Sequence, residues 1–135
     1  MNRLTEYAQS KGITGGMTTL YHGTRNPNVA GIISQGFSLN HSRETGMLGR
    51  GIYLGQQEKA SHYSGGIILV VNVFLGNCRE LDDLDQINAI HNKEYDSLHL
   101  KAGRYSRAYG GSVQYEEWVI RDPKLTEVVG LIIID

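Results

Sequence analysis

Two clusters of side chains in this sequence could do chemistry. In Tyr115-Glu116-Glu117-Trp118-Val119-Ile120, two adjacent carboxylates lie within an otherwise apolar, strand-like run. Side chains alternate across a strand, so Glu116 and Glu117 face opposite sides, and one of them shares a face with Tyr115 and Val119. A carboxylate aimed into a half-buried face is costly unless it is paired or used. In Leu20-Tyr21-His22-Gly23-Thr24-Arg25, a histidine ends a predicted strand directly before a glycine and a hydroxyl residue. Taken alone, such a histidine is more simply read as a hydrogen-bonded core residue. Neither cluster names a reaction by itself.

Other combinations fail on spacing or context. Gly46-Met47-Leu48-Gly49-Arg50-Gly51 resembles a dinucleotide fingerprint only superficially. Its glycine spacing is wrong, and a strand follows where a helix N-terminus should meet a pyrophosphate. These glycines suit a loop turning tightly into the next strand. His22, His41, His62, His91, His99 and the single cysteine, Cys78, show no paired metal-ligand spacing, so no metal is expected. Cys78 has no evident neighbouring base and reads as a half-buried structural thiol. Arg104-Tyr105-Ser106-Arg107-Ala108-Tyr109 interleaves cations with aromatics, which could stack nucleic-acid bases or lie as a solvated loop.

The elements that must position these groups belong to one domain. A chain of 135 residues buries enough surface to fold without disulfides or metal. One cysteine excludes a disulfide-stapled scaffold. Thirteen Lys and Arg against fourteen Asp and Glu argue against tight electrostatic binding to nucleic acid. The longest apolar run, Ile67 to Val71, is far too short to span a bilayer, and the N-terminus lacks an apolar signal region. An intracellular protein, cytoplasmic or nuclear and without membrane contact, is expected.

Along the chain, residues 2–12 predict a short helix stopped at Gly12, and Met17 to Tyr21 a strand. Asn26-Pro27-Asn28 opens a helix with Val29, Ile32 and Ile33 on one face and Gly36 closing it. Ser38 to Arg50 is a surface loop of a length that is often functional. Gly51 to Gly55 is a short strand, Gln56 to Tyr63 a short helix, and Ile67 to Leu75 the strongest strand. Arg79 to Lys93 reads as loop with one or two helical turns, Tyr95 to Leu100 as a weaker strand, and Lys101 to Ser112 as a loop. Val113 to Ile120 and Glu127 to Ile134 are two further strands. Many strands with few short helices, not in regular alternation, predict an α+β fold with a largely antiparallel sheet.

In order, LYHGTRNPNVAGIISQGF, TGMLGRGIYLG, KASHYS, IILVVNVFLGN, YDSLH and YEEWVIRDP resemble the catalytic domain of the poly(ADP-ribose) polymerase family, the diphtheria-toxin-like ADP-ribosyltransferases. The resemblance covers roughly residues 19–134. It implies a split, mostly antiparallel sheet with an NAD cleft between its halves. It divides the chain into an N-terminal helical extension, residues 1–16, and a minimal catalytic domain, residues 17–135.

The resemblance also implies a His-Tyr-Glu signature. His22 would hydrogen-bond the adenosine ribose, Tyr53 would floor the nicotinamide pocket, and Glu117 would be the catalytic carboxylate, with Glu116 pointing the other way. Tyr63 matches the tyrosine that stacks on nicotinamide, and Gly23 the glycine whose backbone holds the carboxamide. Thr24 lies beside the adenosine ribose and Asn28 near the adenine. The loop Ser38 to Arg50 would cover the donor, and Lys101 to Gln114 would lie towards the acceptor. The family's carboxamide-binding serine stands three residues before the stacking tyrosine. That position is Ala60 here, and a one-residue register change would let Ser61 substitute.

The implied activity is cleavage of NAD+, a co-substrate, with transfer of ADP-ribose to an acceptor. A protein side chain, including one of its own, is the expected acceptor, and a nucleic-acid acceptor is the other. The minimal domain favours single-unit transfer. The stretch before Met17 is too short for the regulatory and DNA-binding regions of some members, so activation by DNA breaks is not expected. A module that binds NAD or ADP-ribose without turnover is an alternative from another class, as is RNA 2′-phosphotransferase chemistry on a related fold.

Overall fold

The computed structural model describes residues 2–24, 26–39, 48–63, 66–82, 86–106 and 111–134. Helix α1 (Arg3–Ser10) begins where the Asn2 side chain accepts from the Thr5 backbone N–H at 2.9 Å, satisfying one of the orphan donors of the first turn. Strand β1 (Met17–Thr24) runs three residues further than expected and carries His22 within it. Helix α2 (Asn26–Gln35), β2 (Ile52–Leu54) and α3 (Gln57–Tyr63) follow, then β3 (Ile67–Phe74). Beyond them come β4 (Cys78–Leu81), α4 (Gln86–His91), β5 (Ser97–Leu100), β6 (Tyr105–Ser106), β7 (Gly111–Ser112), β8 (Glu117–Ile120) and β9 (Thr126–Ile133). A 3-10 turn, Pro123–Leu125, joins the last two.

The expected α+β class and split sheet are present. One sheet has the order β1-β3-β9, a second the order β2-β8-β5-β4, and β6-β7 form a small ribbon. Among the described residues, every pairing is antiparallel except β4 with β5. That parallel pair is joined through α4, as a crossover requires. The two larger sheets meet at one bridge. Tyr21 donates its N–H to the Gly55 carbonyl at 2.8 Å, and Gly55 donates back at 2.9 Å. This joint brings the His22 end of β1 beside β2.

Residues paired across neighbouring strands share a face, so the β2–β8 register sorts the second sheet. Ile52, Leu54, Trp118 and Ile120 pack with Leu20, Leu69, Val71 and Val73 of the first sheet, and Leu4 and Ala8 of α1 close this core. On the other face, Val119, Leu98 and Leu100 pack with Leu48, Leu81 and Ala89 in a second core, against which Tyr53 rests. Two of the three catalytic candidates, Tyr53 and Glu117, lie on this second face.

Several expectations are corrected. Within Arg79 to Lys93 the expected helical turns are α4, but Arg79 to Leu81 is strand and not loop, because β4 starts at Cys78 and buries Leu81 in the second core. The polar Arg79 and Glu80 hide this strand from a hydrophobicity reading. Strand β8 starts at Glu117 instead of Val113 because the Val113 backbone pairs with residues 103 and 104. It accepts from Gly103 at 2.8 Å and donates to Arg104 at 2.9 Å. The loop Lys101 to Ser112 contains the β6-β7 ribbon. On α2, Val29 and Ile32 pack against the first core, whereas Ile33 is 56% exposed. Residues 40–47 of the long loop and 107–110 of the Arg-Tyr segment lie outside the described residues. Cys78 is half-buried, and burial pushes its thiol pKa up, as fits a structural thiol.

Candidate active site

Gly51 lets the strand that carries Tyr53 approach β8. A Cβ there would stand 2.4 Å from a Val119 methyl and 2.8 Å from the Ile120 carbonyl oxygen, so the close pairing admits only glycine. The Tyr53 ring then projects from β2, and its hydroxyl fastens the preceding turn. It accepts from the Leu48 N–H at 2.8 Å and donates to the Gly49 carbonyl at 2.6 Å. Burial raises the Tyr53 pKa to about 12, opposed by the Leu48 N–H and assisted by the charge of Glu117. The hydroxyl stays protonated at neutral pH.

His22 reaches the Tyr53 backbone carbonyl with Nδ1 at 2.9 Å. A carbonyl oxygen can only accept, so Nδ1 carries the proton and Nε2 keeps a lone pair. Phe37 meets the imidazole edge-on with ring centroids 5.0 Å apart. Burial holds the His22 pKa below its ordinary value, the Tyr53 carbonyl opposes this, and the Lys59 charge adds to it. His22 is therefore neutral at physiological pH, a hydrogen-bonding group and not a cation.

A cleft of about 670 Å³ opens between α2 and the β1–β2 joint, lined by His22, Thr24, Asn28, Ser38, Phe37 and Tyr53 among others. That volume and its mixture of aromatic and polar walls suit a nucleotide-sized ligand. Thr24 is buried in its wall, and Asn28 stands in the first turn of α2. Gly23 lies between His22 and Thr24 on β1, paired with Ile68.

Glu117 opens β8 and is only 7% exposed. Its carboxylate forms an ion pair with the Lys59 ammonium on α3. Burial raises the Glu117 pKa above the ordinary carboxylate value, and Lys59 opposes the rise through charge and hydrogen bonding. The β2–β8 register sets Tyr53 opposite Val119, two residues along the same face from Glu117. The charges of Glu117 on Tyr53 and of Lys59 on His22 connect the three sites electrostatically. On α3, Ala60 is buried, Ser61 is exposed beside it, and Tyr63 is the final residue.

Glu116 goes the other way, as strand alternation requires. It hydrogen-bonds His99, whose ring stacks on Trp118 with centroids 4.3 Å apart.

A protein-family model, the poly(ADP-ribose) polymerase catalytic domain, matches residues 1–120. The chain belongs to this family. It is 30% identical over 117 residues to a poly(ADP-ribose) polymerase 2-A of Oryza sativa subsp. japonica, across 78% of this chain and 16% of that protein. With a poly(ADP-ribose) polymerase tankyrase of Caenorhabditis elegans it shares 33% identity over 101 residues, 64% of this chain and 4% of the relative. Identity to a poly(ADP-ribose) polymerase 1 of Xenopus laevis is 38% over 82 residues, 53% of this chain and 8% of the relative. The matched segments are thus a small part of these poly(ADP-ribose) polymerases.

Lys59 is the site residue that residue-by-residue sequence reasoning missed. A signal existed, since a half-buried carboxylate demands a counter-charge. The sequence offers thirteen Lys and Arg for that role, and only the fold selects one.

Proposed function

We propose that this domain is an ADP-ribosyltransferase that cleaves NAD+ at the nicotinamide–ribose bond and transfers one ADP-ribose unit to a protein side chain. The observation that carries this reading is the buried Glu117–Lys59 pair, whose carboxylate shares a sheet face with Tyr53, a residue that also lines the His22 cleft. Family membership supports the same chemistry.

Residues of the cleft, with Gly23 of β1 and Ser61 and Tyr63 of α3, would serve the parts of NAD+. Asn28 and Thr24 offer polar groups to the adenosine half, and the free Nε2 of His22 would accept from a ribose hydroxyl. The backbone N–H and C=O of Gly23 would hold the carboxamide, with Ser61 as a neighbouring donor. Tyr53 and Tyr63 would contact the flat pyridinium, where stacking and cation–π attraction act together.

Nicotinamide leaves as a neutral molecule from a cationic ring, so no general acid is required. Positive charge develops on the ribose as the bond breaks, as in glycoside hydrolysis. The Glu117 carboxylate would hydrogen-bond the ribose 2′-hydroxyl and stabilise that charge in a site from which water is largely excluded. Lys59 opposes the burial-driven rise of the Glu117 pKa and so favours the ionised carboxyl that this role needs. The acceptor nucleophile then attacks the anomeric carbon and loses its proton, and water takes its place when no acceptor is bound.

Incubation with NAD+, following nicotinamide release and intact protein mass, tests the proposal. The wild type should release nicotinamide and gain mass in single ADP-ribose steps, and Glu117→Ala should abolish both. NAD+ binding without release by the wild type would instead indicate a binding module, and a ladder of mass steps would indicate polymer synthesis.

A further inference from the structure

The Glu116 carboxylate is tied on both oxygens, although it faces away from Glu117. Oε1 accepts from Gln56 Nε2 at 3.3 Å, and Oε2 lies 2.9 Å from His99 Nε2. His99 is held in turn by parallel stacking on Trp118, the residue after Glu117, with an interplanar angle of 2°. His99 also sits opposite Trp118 in the β5–β8 register, next to the Leu100–Glu117 pair.

The other partner, Gln56, directly precedes α3. Its carbonyl accepts the Ala60 N–H at 3.1 Å, and Lys59 follows three residues later. The backbone of Glu116 also lies beside this helix start, because a Cβ on Gly55 would stand 3.6 Å from the Glu116 carbonyl oxygen. Gln56, Lys59 and Glu116 line one open groove of about 580 Å³ together with Lys101 and Tyr115. One carboxylate thus connects β5, the turn into β8 and the N-terminus of α3. The same two elements, β8 and α3, carry the two halves of the Glu117–Lys59 pair.

We infer that Glu116 is a positioning residue that fixes α3 against β8 and β5, so that Lys59 stays aligned on Glu117. This inference rests on the proposed NAD+ cleavage. It predicts an effect on turnover without an effect on NAD+ affinity, since neither Glu116 nor its partners line the His22 cleft. A small misplacement transmitted from outside the reacting centre suffices to slow an oriented reaction substantially.

The test is nicotinamide release by the intact chain for the wild type, Glu116→Ala, Glu116→Gln, Lys59→Met and the double variant Glu116→Ala/Lys59→Met. Glu116→Ala should lower kcat roughly tenfold, as expected for lost orientation, with KM for NAD+ within about twofold of wild type. Glu116→Gln keeps the shape and one acceptor oxygen for Gln56, and with His99 in its other tautomer the second link also survives, so most of the rate should be restored. In the Lys59→Met background, Glu116→Ala should add little further loss, because it acts through Lys59. A structural residue without this role would give additive losses in that cycle.

Unchanged kcat in Glu116→Ala would overturn the inference, as would a loss confined to KM, failure of the glutamine variant to restore rate, or additivity with Lys59→Met. Should Glu116→Ala fail to fold, Gln56→Ala cuts only the link to α3. A reduced kcat in that variant supports the inference, and an unchanged one overturns it. Absence of nicotinamide release by the wild type overturns the proposed function itself and this inference with it.

Discussion

At the scale of single residues, Glu117 and His22 show how burial sets charge. In the proposed mechanism the Glu117 carboxyl acts ionised, and burial raises its pKa from the ordinary value of 4.5. Nicotinamide release should therefore fall as pH drops through a value above 4.5. Lys59→Met removes the opposing charge and should move this acidic limb to higher pH, read from kcat against pH. Glu117→Gln should lower kcat by roughly 10²–10³-fold, the usual cost of removing one preorganised electrostatic contact. Retention of full turnover in Glu117→Gln would sink the proposed mechanism. Tyr53→Phe keeps the ring for a bound pyridinium but leaves the buried Leu48 N–H without its acceptor. It should cost about 1–3 kcal/mol of stability in denaturant unfolding, with NAD+ affinity changed much less.

Among elements, α3 is placed by what its neighbours leave open. Gly55 precedes it, and a Cβ there would lie 2.8 Å from Lys59 Cδ and 3.5 Å from Lys59 Cβ. Gly55→Ala should push the Lys59 side chain off Glu117 and lower kcat, while the β1–β2 bridge, made by backbone groups, persists. Wild-type turnover in this variant would show that the ion pair tolerates displacement. The crossover between β4 and β5 depends on Arg121. Its guanidinium donates to the Ala89 carbonyl at 2.9 Å and the Ile90 carbonyl at 2.7 Å, and also to the Asn92 carbonyl. Arg121 thereby caps the end of α4 from the position just after β8. Lysine cannot reproduce this planar fork, so Arg121→Lys should destabilise by about 1–3 kcal/mol in chemical denaturation.

For the whole molecule, α1 packs into the first core. Leu4 and Ala8 are fully buried there, and the Tyr7 hydroxyl donates to Asp122 beside the 3-10 turn. That bond to a carboxylate, then burial, raises the Tyr7 pKa to about 12. Leu4→Ala should cost about 2–5 kcal/mol in thermal or chemical unfolding, the range for a cavity left in a packed core. Global stability should also depend on His22. Its folded pKa is below 6.5, so between those values the unfolded chain binds a proton that the folded chain does not. Stability therefore falls as pH drops from 6.5 through the folded value, and His22→Gln should flatten that part of the stability–pH curve.

Local chemistry in the sequence determined much of this protein. Apolar β-branched runs specify β3 and β9, Asn2 specifies the start of α1, and strand alternation sends Glu116 and Glu117 to opposite faces. The motif order identified the family. Other features depend on distances between segments far apart in the chain, which local propensity does not encode. The polar strand β4 exists because β5 accepts it in parallel, and β8 is short because residues 103 and 104 capture the Val113 backbone. Lys59 became the partner of Glu117 only when the sheet joint at Tyr21 and Gly55 brought α3 over the start of β8. A buried carboxylate can be expected from sequence, but its counter-charge is chosen by tertiary packing, because Coulomb energy depends on separation in space and not along the chain.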